Sequence, residues 1–369
     1  MAKEYNVVLV GVGAVGVEML KVLKQRRFPI KELKVLARSS RDIFVDGEKY
    51  SVKEIKPEEF KGCDIALFAG TEGEKGAAVS YAAEAIKNGA VVIDNGADFR
   101  MKPEVPLVVP EVNPEDVKWN KGIISNPNCS TIQLVAAIAP IYRISKIRRV
   151  VVTTFQAVSG AGRKSQEELF VQSKEIFSRT DNLSSWEKMQ KDWFKEKMKE
   201  PLTFPYPIAF NLIPQIGKFE SFDYTTEEWK MVRETHKIMH DDKIEINATC
   251  VRVPVFNVHS ESIYLETEKE ISIDKIKETL VNAGGIELVD DLDKNAPSDD
   301  TKRRTYPLPI NASGKDPVYI GRIRQDIFKK NAMSFWCVSD NLRKGAALNA
   351  VQIAELVIGK SNIKNQISE

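Results

Sequence analysis

The chain of 369 residues is too long for one ordinary core and predicts two domains, each with its own apolar interior. Its 54 Lys and Arg nearly balance 52 Asp and Glu, and a formal charge of +2 argues against a nucleic-acid partner. Cys63, Cys129, Cys250 and Cys337 form no C-x-x-C pattern, so no metal is expected. No apolar run reaches the roughly 18 residues of a membrane span.

The first residues enter a strand without the charged-then-apolar pattern of a leader, which predicts a cytoplasmic protein with reduced thiols. Residues 5–10 are an apolar run, Gly11-Val12-Gly13-Ala14-Val15-Gly16 follows, and 17–23 has helical spacing. Strand, glycine turn and helix are the setting of a dinucleotide fingerprint. Gly11 makes the turn, Gly13 lets backbone approach a pyrophosphate, and Gly16 lets helix and strand pack closely, with Ala14 and Val15 in the same loop. The next strand, 33–37, ends in Arg38-Ser39-Ser40-Arg41 rather than in a carboxylate for a ribose 2'-hydroxyl. Two guanidiniums and two hydroxyls suit a 2'-phosphate, so NADP is expected over NAD. Strands at 65–69 and 91–94 around a helix at 75–88 continue a βαβ rhythm. Thr71 and Asn95 fall just past strand ends, where ligands bind in such sheets.

Asn126-Pro127-Asn128-Cys129-Ser130-Thr131 then leads into an apolar run at 132–139. Proline and the asparagines make a turn, and Ser130 or Thr131 is expected to cap the helix that follows. A cysteine at that start meets unpaired N–H groups and the positive end of the macrodipole, which favour a thiolate nucleophile. A small buried hydrophobe fits this segment alone equally well.

From 147 the texture changes to strands at 149–155, 244–253, 262–267 and 333–338, with helices at 163–178, 226–239 and 273–283. This reads as an antiparallel or mixed sheet covered on one face. A charged stretch at 178–201 with Trp186, Trp193 and Phe194 reads as an added helix, serving as interface or lid or simply solvated. Thr225 with Glu228 forms a capping box, while Glu227 and Lys230 share a helix face where an exposed ion pair is the ordinary outcome. His236 and His240 lack the glutamate of an H-E-x-x-H site and read as helix surface. Arg252 follows Ile244, Ile246, Ala248 and Cys250 on one strand face, so its charge needs an anion, either a ligand or an internal carboxylate. His259 lies between two predicted strands. A final apolar helix at 344–358 is expected to return to the cofactor domain.

Five separated motifs carry a family resemblance: Asn126 to Thr131; Phe155-Gln156-Ala157-Val158-Ser159-Gly160-Ala161-Gly162; Ile208-Ala209-Phe210-Asn211-Leu212-Ile213-Pro214; Arg252-Val253-Pro254-Val255 with His259; and Ser339-Asp340-Asn341-Leu342-Arg343-Lys344-Gly345. In this order the chain resembles the aspartate-β-semialdehyde dehydrogenases. The resemblance implies an α/β fold: a Rossmann-type doubly wound domain from 1–130 with 341–369, and an α+β catalytic and dimerisation domain at 131–340, as in glyceraldehyde-3-phosphate dehydrogenase. It implies reversible conversion of L-aspartyl-4-phosphate and NADPH to L-aspartate 4-semialdehyde, NADP and phosphate, toward lysine, threonine, methionine and diaminopimelate.

On that resemblance Cys129 forms a thioester, with backbone N–H groups of its helix expected to stabilise the oxyanion. His259 acts as general acid/base from an unperturbed pKa of about 6.5. Gln156 orients the acyl group, Arg252 grips the α-carboxylate, Glu227 the amino group, and Arg100 with Lys230 the phosphate. Asn128 belongs to the substrate site, and Ser159, Gly160 and Asn341 to the cofactor site. A homodimer or homotetramer is implied. The glycine loop departs from the family's usual G-x-x-G-x-x-G by one residue, which leaves the pyrophosphate contact open. N-acetyl-glutamyl-phosphate reductase and malonyl-CoA reductase share the thioester chemistry, and a non-catalytic NADP-binding regulator would share the fold.

Overall fold

The computed structural model describes residues 3–70, 76–200, 202–291 and 305–359; Thr71 and the segment 360–369 lie outside the described residues. Two sheets organise the chain. The first is built by β1 (Tyr5–Val10), α1 (Ala14–Gln25), β2 (Ile30–Ala37), β3 (Arg41–Val45), β4 (Glu48–Glu54), β5 (Ile65–Phe68), α2 (Ala77–Lys87), β6 (Val91–Asp94) and β7 (Ile123–Ser125). Its order is β3-β4-β2-β1-β5-β6-β7, parallel except for the β3–β4 hairpin. Val7 to Val10 are all buried, as a strand covered on both faces requires. The chain leaves β1 toward β2 on one side and β5 lies on the other, so the topological switch point falls between the ends of β1 and β5. Ligands bind at such points because the connecting loops diverge there.

α3 (Cys129–Ile144) leads into the second unit: β8 (Ile147–Gln156), α4 (Arg163–Arg179), α5 (Leu183–Lys197), α6 (Thr226–Met239), β9 (Glu245–Arg252), β10 (His259–Thr267), α7 (Ile273–Val281), β11 (Ile286–Leu288), α8 (Pro309–Ala312), β12 (Val318–Gln325) and β13 (Ala332–Ser339). The sheet runs β11-β12-β13-β10-β8-β9 and is mixed, with β8–β9 and β11–β12 parallel. α3, α6 and α7 cover one face through Ile132, Val135, Met231 and Ile276 against Val152, Ile263 and Phe335. On the other face Val151, Thr153, Phe155, Ser262, Tyr264 and Trp336 are half-buried. A π-helical turn at Arg343–Ala347 precedes α9 (Leu348–Val357), whose Leu348, Val351 and Ile353 pack with Met19 and Leu23 of the first unit.

Several elements depart from the sequence reading. α1 and β2 start three residues earlier than read, and β3, β4, β7, β11 and β12 were not read at all. His259 is the first residue of β10 rather than part of a connection. The single final helix is divided by the π turn. In the 178–201 stretch α5 buries Trp193 with Leu169, Ile176 and Phe204 in a separate small core, so it is not a merely solvated helix.

Candidate active site

The switch point, the start of α3 and the edge of the second sheet meet in one cleft of about 640 Å³, lined among others by Gly13, Asn95, Cys129, Arg252, His259 and Gly345. Asn128 is the N-cap of α3: its Oδ1 accepts from the N–H groups of Ser130 at 3.0 Å and Thr131 at 3.3 Å. This corrects the assignment of the cap to Ser130 or Thr131. The asparagine holds the extended φ and ψ that a cap requires, so Cys129 becomes the first helical residue. The same bonds commit two of the N–H groups expected to serve an oxyanion.

Cys129 Sγ opens on the cleft 3.3 Å from His259 Nε2. The N–H of Ala157 donates to His259 Nδ1 at 3.1 Å. With Nδ1 accepting, the neutral ring carries its proton on Nε2, aimed at the sulfur. The fully buried imidazole is not unperturbed: burial and then the Arg252 charge push its pKa down to about 3. Cys129 also departs from expectation. Burial, and next the Glu227 carboxylate, push its thiol up to about 12, against the opposite pull of Arg252, Arg100 and Lys230. Burial thus opposes the start of the helix in setting the charge of this thiol.

Arg252 ends β9 on the buried face, beside Gln156 of β8 in register. Its Nη1 donates to Ala157 O at 2.6 Å, and its guanidinium lies 5.5 Å from the Phe204 ring. Nε is buried without a hydrogen-bond partner, and among the described residues no carboxylate forms an ion pair with Arg252. The Glu227 carboxylate acts on Arg252 through space without pairing with it, so a buried cation, partly offset by that charge, faces the cleft. A Cβ at Gly160 would stand 3.2 Å from both Arg252 Nη1 and His259 Nε2, so a side chain there would crowd both groups.

Glu227 is buried rather than exposed: its Oε1 accepts from Asn128 Nδ2 at 2.9 Å and Gln156 Nε2 at 3.1 Å, and Lys230 Nζ stands 3.5 Å from Oε2. Burial raises its pKa, yet Lys230, Asn128 and Gln156 outweigh that and hold it down at about 2. Gln156 Nε2 also donates to Ser130 Oγ. Arg100 is buried, with Nε on Asn126 O at 3.0 Å, Nη2 on Asn95 O at 2.7 Å and Nη1 on Glu234 Oε1 at 3.1 Å. Glu234, absent from the sequence reading, also accepts from the N–H of Asn128 at 2.7 Å through Oε2.

At the cofactor end, Gly11 takes φ +100° and a Cβ on Gly16 would collide with the Gly11 carbonyl, while Gly13 faces open space. Gly13 is the N-cap of α1 and offers no side-chain cap, and Gly13, Ala14 and Val15 line the cleft at the positive end of this helix, the kind of place that favours an anion. Asn95 Nδ2 donates to Phe68 O and its Oδ1 accepts from Asn126, bracing the adjoining loop. Ser159 and Asn341 hydrogen-bond each other at 3.0 Å, and Asn341 Oδ1 takes the N–H of Val258 at 2.9 Å. Arg38, Ser39, Ser40 and Arg41 form an exposed group past the end of β2. Within it Arg41 Nη1 donates to Ser39 O and Oγ, and Ser40 Oγ accepts from Glu54 N, so these last two residues also brace their own loop.

Residues 6–120 match the family model described as semialdehyde dehydrogenase, NAD binding domain, and 138–344 match semialdehyde dehydrogenase, dimerisation domain. The chain is 50% identical over 364 residues to a protein of Aquifex aeolicus named aspartate-semialdehyde dehydrogenase, covering 96% of this chain and 98% of that one. It is 43% identical to the protein of the same name from Bacillus subtilis, covering 96% and 98%. Among solved structures, aspartate semialdehyde dehydrogenase II of Vibrio cholerae, described also as complexed with ASA, is similar with TM-score 0.85 at 41% identity, covering 97% and 99%.

Proposed function

This chain belongs to the aspartate-semialdehyde dehydrogenase family, and we propose that it reductively dephosphorylates L-aspartyl-4-phosphate to L-aspartate 4-semialdehyde, reversibly, through a thioester on Cys129. The carrying observation is the Cys129 and His259 pair at 3.3 Å, in the same cleft as a buried Arg252 whose Nε has no hydrogen-bond partner. The full-length relatives of that name favour this reading over the two related reductases, and the presence of both Cys129 and His259 weighs against a silent regulator.

In the biosynthetic direction Arg252 receives the α-carboxylate, Glu227 the ammonium, and Arg100 with Lys230 the phosphate. Gln156 and Asn128 fix the carboxylate of Glu227 and thereby the amino end of the substrate. Sγ attacks the acyl carbon as the C–S bond forms, and its proton passes to the departing phosphate, because His259, with Nδ1 accepting and Nε2 protonated, has no free nitrogen to take it. The C–O bond to phosphate breaks, and its electron pair leaves with phosphate. NADPH would supply the hydride that reduces the thioester; Gly11, Gly13, Ala14, Val15 and Gly16 would hold its pyrophosphate, and Asn95, Ser159, Gly160 and Asn341 would complete its site. The Nε2–H of His259 donates to the oxygen as negative charge develops there. Collapse of the hemithioacetal returns the C–S electron pair to sulfur and frees the aldehyde.

NADP rather than NAD is proposed from Arg38, Ser39, Ser40 and Arg41, with nearly equal kcat/KM for NADPH and NADH as the result against it. The domain limits 1–130 with 341–369 and 131–340, a homodimer or homotetramer built on the second sheet, and a cytoplasmic location belong to the same proposal; no described helix is long and apolar enough to cross a membrane. The deciding assay is oxidation of L-aspartate 4-semialdehyde by NADP with and without phosphate. Sustained turnover is expected only with phosphate; equal turnover without it would make this an ordinary aldehyde oxidation and sink the reading.

A further inference from the structure

Among the charged residues of α6, Glu227, Lys230, Glu234 and Lys237 recur at intervals that keep them on one helix face. The first two face the substrate end of the cleft. The second two grip the segment that carries Arg100. Glu234, buried, takes Arg100 Nη1 on one carboxylate oxygen and the N–H of Asn128 on the other. One turn on, Lys237 Nζ donates to the carbonyls of Arg100 at 2.6 Å, Lys102 at 2.8 Å and Val105 at 2.7 Å. Arg100 is thus held by side chain and by backbone from a single helix. The carboxylate that aims its guanidinium also fixes the residue preceding the nucleophile.

We propose that Glu234 is a positioning residue that aims Arg100 for phosphate recognition, braced against the backbone of the nucleophile turn, with Lys237 as its backbone anchor. The inference rests on the reading of Arg100 as a phosphate ligand. A carboxylate shared between a cation and a backbone N–H fixes two groups in a mutual geometry that neither helix propensity nor core packing demands. Loss of its charge leaves Asn128 an amide acceptor but releases Arg100 from its ion pair.

The test follows oxidation of L-aspartate 4-semialdehyde by the full-length protein with inorganic phosphate as varied substrate. Alongside it, the first-turnover burst of reduced cofactor, which precedes phosphate attack, is measured. Glu234→Gln is expected to raise the KM for phosphate about tenfold or more while the burst amplitude stays within about twofold of wild type. Lys237→Met is expected to raise the same KM by a smaller factor, and it carries the test if Glu234→Gln fails to show a cooperative melt. A phosphate KM within about twofold of wild type in the folded variants overturns the inference. So does parallel loss of burst and phosphate dependence in a folded Glu234→Gln, which would be a general structural effect. Arg100→Met is the control: an unchanged phosphate KM there overturns the phosphate assignment and the inference together.

Discussion

Cys129 sits between opposed fields. Burial and the Glu227 carboxylate raise its pKa, while Arg252, Arg100 and Lys230 lower it. Removing one negative charge must therefore favour the thiolate, and removing one positive charge must disfavour it. Glu227→Gln is expected to move the pH midpoint of Cys129 alkylation by iodoacetamide downward, and Arg252→Met to move it upward. Unchanged midpoints in both would mean that burial alone governs the thiol. The neighbouring imidazole gives a separate expectation. With its pKa near 3, His259 stays neutral across the physiological range and works as an Nε2–H donor. His259→Asn should lower kcat by about 10²-fold or more, without removing any limb of the kcat against pH curve between about pH 5 and 8. Disappearance of a limb near pH 6.5 in the variant would restore the unperturbed acid/base role.

The helix and strands that bring these residues together were legible to different degrees. The register of the second sheet arranges its inner face in rows. His259 lies opposite Ser339, and Gln156 opposite Arg252, at the cleft. Beneath them come Cys337, Glu261, Thr154 and Cys250, then the wholly apolar Phe335, Ile263, Val152 and Ala248. Single-strand alternation was enough to predict the buried side of Arg252, because period-two patterning survives in the sequence. The neighbour across the sheet is set by register, which no local pattern carries. α6 is held at its start by Thr225 Oγ1 accepting from Glu228 N, while Glu228 Oε2 accepts from Thr225 N and its Oε1 takes the N–H of Cys250 on β9. Thr225→Ala is expected to cost about 1–2 kcal/mol, read as a lower denaturant midpoint; an unchanged midpoint would show that β9 alone fixes this helix end. That capping box was visible in the sequence. Glu234 and Lys237 carried a signal too, charges continuing the face of Glu227 and Lys230, but an exposed helix shows the same pattern. The β3–β4 hairpin went unread although Asp46-Gly47, whose positive φ values of 49° and 81° the turn uses, is a turn pair. Its strands are charged and mostly exposed, so the hydrophobic pattern that marks core strands is weak there.

Across the whole molecule, the return of the chain from the second sheet to the first is fixed by buried charge. Arg343 reaches Gln25 of α1 at 2.8 Å and pairs with Glu18 and with Asp316 of the second unit, while Lys344 meets Glu111, Asn349 and Gln352. These pairs join the units around the cleft, so the ionisation of groups inside the cleft bears on global stability. Stability rises with pH wherever the unfolded chain binds more protons than the folded one. His259 has an ordinary value of 6.5 and a folded value of about 3, so between those limits the unfolded chain carries the extra proton. Its contribution is present above pH 6.5 and is lost as pH falls toward 3. Glu227, depressed from 4.5 to about 2, adds a second loss only below pH 4.5. Between pH 6.5 and 5 the two are therefore separable. Calorimetric melting of ligand-free protein should show Tm falling over that interval in wild type and falling less in His259→Asn, since asparagine takes up no proton in either state. Parallel Tm curves for the two proteins would mean that His259 titrates alike in the folded and unfolded chains, and the buried neutral imidazole would have to be abandoned.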